Sequence, residues 1–128
     1  MRVRVRRVVA VLAVAVAFLR QNPFLAALPP YELERLAQGA EWVAVSAGTD
    51  VVTQGDDADS YYLVASGQLS VTIDGVVRAQ PLVAGDGFGE IALLRRVPRT
   101  ATITALIDCE LLIVGAAQFL ASVASSAD

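Results

Sequence analysis

The chain has 128 residues, 55% of them hydrophobic, and a formal net charge of −3. That length suits one domain with an ordinary core, and a weakly acidic balance with no basic face argues against nucleic acid as a direct partner. Histidine is absent and cysteine occurs once, which removes the commonest general base, the commonest metal ligand and any internal disulfide.

Residues 1–19 open with the basic run RVRVRR and continue into the apolar run VVAVLAVAVAFL. About twelve apolar residues are too few to cross a bilayer, which takes roughly twenty. Three readings stay open. A signal peptide would have this basic start, this apolar stretch and a small-residue triplet such as Ala15, Val16 and Ala17. The end of a membrane helix, or a linker from a larger parent protein, would look similar. A helix or strand packed on the domain is the third, and the alternation in RVRVRRVV suits a strand. The expected organisation is therefore a segment over residues 1–17 ahead of a domain over residues 18–128.

Residues 18–39 read as two helices with a break. Apolar residues recur at helical spacing through FLRQNPFLAAL, interrupted at Asn22 and Pro23. Pro29 and Pro30 impose an extended link and suit the start of the next helix. Leu33 and Leu36 share one face of that helix, and Gly39 stops it. From residue 41 to 114 the chain is a series of short strands split by glycine turns at Gly48, Gly55, Gly67, Gly75 and Gly85. Asp74 followed by Gly75 between two apolar runs signals a two-residue hairpin. Many short strands at this spacing imply an antiparallel sandwich or barrel. The fold class is thus mainly β, an antiparallel double-sheet jelly roll (β-roll) with flanking N- and C-terminal helices. Tyr61 and Tyr62 are adjacent on a strand, so one is expected in the core and the other outside. Asp56, Asp57 and Asp59 lie in a run with Gly55 and Ser60 that reads as a solvated turn, without the spacing of a calcium loop. Cys109 falls in an apolar run and reads as a small buried residue. The last helix is expected over residues 115–124, ahead of a frayed tail.

The stretch with most chemical content is residues 86–105, DGFGEIALLRRVPRTATITA. Gly87 and Gly89 flank Phe88 and open backbone conformations closed to other residues. A short run of helix formers follows from Glu90 to Leu94. The first turn of a helix has free N–H groups and a partial positive charge, both of which favour an anion. Pro98 ends the run, Arg99 follows, and TATITA then alternates like a strand. A phosphate would find amides and a guanidinium together. A carboxylate repels phosphate, so Glu90 makes sense there only as an acceptor for something else, such as a sugar hydroxyl. The plainer reading is a surface pair of Glu90 and Arg99, worth about 0–1 kcal/mol.

At Phe88, Gly89, Glu90, Ile91, Ala92, Leu93, Leu94, Pro98, Arg99, Thr100, Ala101 and Thr102 this stretch resembles the phosphate-binding cassette of cyclic nucleotide-binding domains, FGE followed by P-R-[TSA]-A-[TS]. It is not a P-loop, since no GK[ST] follows the glycines. The similarity runs from about Phe18 to the C-terminus. It takes in the PFLAAL and PP.ELERLA openings and the turn glycines Gly48, Gly55 and Gly67. The resemblance implies a cassette over residues 86–102 and a ligand site of Phe88, Gly89, Glu90, Ile91, Ala92, Arg99, Thr100 and Ala101. In it Arg99 pairs with the cyclic phosphate, the N–H groups of Ala92 and Thr100 complete the anion site, and Glu90 with the Gly89 backbone holds the ribose 2′-hydroxyl. The Thr100 hydroxyl reaches phosphate or a guanine amino group.

The implied function is regulatory rather than enzymatic. The chain binds cAMP or cGMP, uses no metal, and transmits binding through the helices near Phe24 and Leu28 and near Phe119. The implied setting is bacterial and cytoplasmic, with membrane association through the N-terminal segment or a parent protein. A cytoplasmic ligand favours the linker reading of residues 1–17 over the signal peptide. The effector domain lies outside the chain, and a homodimer is compatible. One helix at the C-terminus leaves the source of a base lid open and gives no room for a helix-turn-helix. The alternative is a degenerate jelly roll that binds no nucleotide and serves as an interaction or assembly module. A metal-dependent jelly-roll enzyme would need histidines.

Overall fold

The computed structural model describes residues 3–5, 12–23 and 25–126. Strand β1 (Val3–Val5) precedes helices α1 (Leu12–Gln21) and α2 (Pro30–Gly39). Strands β2 (Glu41–Val45), β3 (Asp50–Val52), β4 (Ser60–Ser66), β5 (Gln68–Ile73), β6 (Val76–Val77), β7 (Leu82–Val83) and β8 (Gly87–Phe88) follow. Helix α3 (Glu90–Arg95), strands β9 (Thr102–Ala105) and β10 (Cys109–Gly115) and helix α4 (Ala116–Ser126) complete the chain. One antiparallel sheet runs β1-β2-β10-β4-β8 and the other β3-β9-β5-β6, with β7 also on β5. This is the double-sheet roll with flanking helices expected from the sequence.

The middle strands of the first sheet, β4 and β10, are buried on both faces. The sheet's inner face meets the second sheet through Val43, Val45, Tyr62, Val64 and Leu111, packed with Leu69 and Ile103. Its outer face carries Tyr61, Leu63, Leu112 and Val114 against Leu19 of α1, Leu33 of α2 and Phe119 of α4. Period-two alternation therefore sends neighbours on β4 and β10 into two different cores. Both tyrosines are buried for this reason, Tyr61 at 1% exposure and Tyr62 at 5%. The expectation that one would face solvent fails because it assumed a sheet covered on one side only.

Helix α1 begins at Leu12, so the expected boundary between residues 17 and 18 falls inside a helix. Ala15 and Leu19, four residues apart on one face, are both buried in the outer core. The end of the apolar run is thus packing surface. Among the described residues no helix is long and apolar enough to cross a membrane. Residues 3–5 form an antiparallel pair with β2, as the alternation of the basic run allowed. The rest of residues 1–11 and Phe24 lie outside the described residues. Past Pro23 the chain makes turns rather than a second helical stretch, with the amides of Leu25 and Ala26 both donating to the carbonyl of Asn22.

At the far end, Asp74 and Gly75 take φ values of 52° and 81°, the paired positive values of a two-residue hairpin turn. The Gln54 side chain clamps that turn, donating to Asp74 Oδ1 at 2.8 Å and accepting from the Asp74 amide at 2.9 Å. Cys109 is buried, with its Sγ 3.1 Å from the Ile107 carbonyl and 3.4 Å from that of Gln68.

Candidate functional site

The site is assembled on β4, which pairs with β8 so that Tyr62 lies opposite Phe88 and Leu63 opposite Gly87. The Tyr62 and Phe88 rings stack at 4.8 Å and 5°. Gly89 then turns the chain into α3 at φ 99°. A Cβ at Gly89 would stand 2.6 Å from Arg99 Nη1, and one at Gly87 would stand 1.8 Å from the Tyr61 hydroxyl oxygen. Both glycines are required by close approach, and Gly89 by its backbone as well. Helix α3 makes little more than one turn. It closes with Arg96 in the left-handed region and the Val97 amide donating to the Ala92 carbonyl at 3.1 Å.

The chain returns through Arg99, whose backbone is pinned on both sides. Its N–H donates to the Asp56 carbonyl and its carbonyl accepts from the Gly55 amide, both at 2.8 Å. The residue is 4% exposed. Nη2 donates to the Ser60 carbonyl at 2.8 Å and Nη1 to that of Gly89 at 3.2 Å. The Asp59 carboxylate stands 3.7 Å from Nη2 but is itself 87% exposed. A guanidinium has five N–H donors, so these contacts fix the fork in place without exhausting it.

Arg99 and Glu90 open onto one cavity of about 290 Å³. All eight residues expected at the site line it: Phe88, Gly89, Glu90, Ile91 and Ala92 on one arm, Arg99, Thr100 and Ala101 on the other. Ala92 stands in the first turn of α3, where N–H groups have no intrahelical partner. Glu90 Oε2 is buried and has no hydrogen-bond partner among the described residues. A buried acceptor left unmade costs about 1–3 kcal/mol. Such a carboxylate beside a buried guanidinium fits a ligand with a hydroxyl at one end and an anion at the other.

Sequence reasoning missed the opposite wall. Val71 and Ile73 of β5, Ile103 of β9 and Val52 of β3 give it an apolar surface, with Arg78, Gln80 and Leu82 at its rim. Val71 pairs with Ile103 across the two strands. Alternation within VTI and TIT was the available signal, but the sequence alone does not say which face of which sheet looks at the cassette. Among the described residues no group of three histidine, cysteine or acidic side chains gathers in a way that could hold a metal ion.

The family model of the cyclic nucleotide-binding domain matches residues 42–126. The cAMP-dependent protein kinase regulatory subunit of Eremothecium gossypii is 37% identical over 102 residues, covering 80% of this chain and 22% of that protein. That of Yarrowia lipolytica is 45% identical over 91 residues, covering 69% of this chain and 24% of that protein. The chain thus spans less than a quarter of the length of these relatives. A solved regulatory domain of Toxoplasma gondii protein kinase A with cAMP superposes with a TM-score of 0.83 at 33% identity, covering 91% of this chain and 46% of that one. These relatives overturn the bacterial setting expected from the sequence, since they are fungal regulatory subunits.

Proposed function

The chain belongs to the cyclic nucleotide-binding domain family, and from that premise we propose that it is a regulatory module that binds a cyclic nucleotide, cAMP or cGMP, in the cavity of the cassette. The single observation that carries the reading is that a buried guanidinium and a half-buried carboxylate line one cavity. Arg99 is a fixed cation, and Glu90 Oε2 is an acceptor without a partner among the described residues. A cyclic nucleotide complements both residues, with a phosphodiester for the guanidinium and a 2′-hydroxyl for one oxygen of the carboxylate. Ala92 and Thr100 contribute backbone N–H groups to the phosphate, and the apolar wall of Val71, Ile73 and Ile103 receives the ribose and base edge.

The helices carry the signal. Leu93 of α3 sits in the outer core with Leu25, Leu28 and Phe119. A ligand that draws α3 inward therefore changes the seat of the segment after α1 and of α4. The shift is limited by the ligand's differential affinity for the two helix arrangements. The module itself performs no chemistry. Its effector is a catalytic kinase subunit outside residues 1–128, and the setting is cytoplasmic. The unit that binds ligand includes α1, because Ala15 and Leu19 belong to its core.

Calorimetric titration of cAMP and cGMP into wild-type protein and Arg99→Ala tests the proposal. Wild type is expected to bind cAMP and the variant to lose it. Unchanged heats in the variant would remove the phosphate role from Arg99. The assembly-module reading requires instead that neither nucleotide binds to wild type.

A further inference from the structure

Tyr61 carries its hydroxyl against Gly87, which lines the cavity, and lies in the core shared with the helices. Its ring is 1% exposed and stacks on Phe119 at 4.4 Å, so its position is fixed and only the hydroxyl proton is free to turn. Asn22, itself 1% exposed at the end of α1, donates through Nδ2 to the Tyr61 oxygen. An amide nitrogen only donates, so the phenol acts there as acceptor and keeps a proton to give. The hydroxyl oxygen rests against Gly87, where a Cβ would come within 1.8 Å of it. Gly87 lines the cavity and stands three residues before Glu90, whose Oε2 is buried without a partner among the described residues. The Glu90 charge is also felt at Tyr61, where it adds to the upward push on the phenol pKa from burial.

We propose that Tyr61 is a positioning residue for Glu90: held from behind by Asn22, its hydroxyl supplies the hydrogen bond to the buried Glu90 oxygen when a ribose 2′-hydroxyl occupies the other. The inference deepens the proposed function and rests on that reading. A turn of the Glu90 carboxylate on loading brings Oε2 onto the waiting proton. The carboxylate then has both oxygens satisfied and one orientation. Adjacent residues of β4 thereby serve the two halves of the ligand, Tyr62 beneath Arg99 for the phosphate and Tyr61 through Glu90 for the sugar.

The experiment is a cycle of Tyr61→Phe against wild type, each titrated with cAMP and with 2′-deoxy-cAMP. A lost hydrogen bond to a charged group predicts about tenfold weaker cAMP binding in the variant and an unchanged Kd for the deoxy ligand. Equal weakening for both ligands would mean that Tyr61 acts only as structure, and no weakening for either would deny it a role; both overturn the inference while leaving the cAMP reading intact. Wild type that binds neither nucleotide overturns that reading and the inference with it. A second measurement does not depend on the variant folding. In wild-type protein the Tyr61 hydroxyl proton resonance is expected to move downfield with cAMP and stay in place with 2′-deoxy-cAMP. A resonance that ignores both ligands, or answers both alike, overturns the inference.

Discussion

The guanidinium carbon of Arg99 stands 5.5 Å over the centre of the Tyr62 ring, and that ring in turn stacks on Phe88. A cation over an aromatic face is attracted by the ring's negative face. Together with the Ser60 and Gly89 carbonyls this holds the cation in place before any ligand arrives. Lysine has the charge but neither the fork nor the stacking plane. Arg99→Lys is expected to weaken cAMP by ~2 kcal/mol or more, about 30-fold in Kd. Asp59→Asn should do far less to the fold: its carboxylate is 87% exposed, and pairs of that kind contribute about 0–1 kcal/mol. Calorimetry on the first and thermal melts on the second check the contrast; equal damage from both would mean that the exposed acid holds the arginine.

Gly87→Ala and Gly89→Ala test the close packing that shapes the cavity. The first places a methyl against the Tyr61 oxygen, and the second places one against Arg99 Nη1 in a left-handed backbone. Each is expected to destabilise the protein by ~2 kcal/mol or more, since overpacking typically costs 1–3 kcal/mol and backbone strain a similar amount. Gly89→Ala should also weaken cAMP, because it displaces the guanidinium. A Gly89→Ala protein that melts and binds as wild type would mean that Arg99 is free to give way.

The cassette was legible in the sequence because its parts are close along the chain. Gly89, Glu90, Ala92, Arg99 and Thr100 belong to one turn-helix-return, and local chemistry places them together. The far wall was not legible, because Val52, Val71 and Ile103 come from three strands of the second sheet. Their meeting depends on how the sheets stack, which no short pattern encodes. The paired burial of Tyr61 and Tyr62 escaped for a related reason. Alternation predicts that neighbours face apart, but only the position of the helices makes both faces interior. The apolar run before Leu19 resembles a targeting segment in composition, and the burial of Ala15 and Leu19 in the outer core is not something composition reports.

The buried phenols make stability depend on alkaline pH. Burial pushes Tyr61 well above its ordinary value of 10.0, with the Asn22 hydrogen bond opposing and nearby Glu90 adding. Burial also raises Tyr62 above 10.0, opposed by Arg99, and raises the Cys109 thiol above 9.0. In each case the folded state keeps its proton where the unfolded chain has begun to lose it. Above the unfolded values the native state therefore binds more protons, and the stability of the folded state falls as pH rises. The contribution is complete below about pH 9 and is lost progressively above it, more steeply past about pH 10. Denaturant melts from neutral to strongly alkaline pH should show this decline, and Tyr61→Phe should make it shallower. A variant whose decline matches wild type would show that Tyr61 does not contribute.

Glu90 is the residue at which binding and stability pull in opposite directions. Its Oε2 is buried at the start of α3 without a partner among the described residues, so the ligand-free protein bears the desolvation of an acceptor that nothing satisfies. Methionine matches glutamate in length, favours helix equally well and has no oxygen to desolvate. Glu90→Met is therefore expected to raise the stability of the ligand-free protein by up to ~1 kcal/mol, within the range for an unsatisfied buried group. The same change removes the acceptor for the 2′-hydroxyl and should weaken cAMP by about tenfold or more. Thermal melts with and without saturating cAMP separate the two effects: the variant should melt higher than wild type without ligand and gain less when ligand is added. A variant that melts lower without ligand would show that Glu90 already has a partner in the ligand-free protein, and the carboxylate would then lose its claim as the group held ready for the sugar.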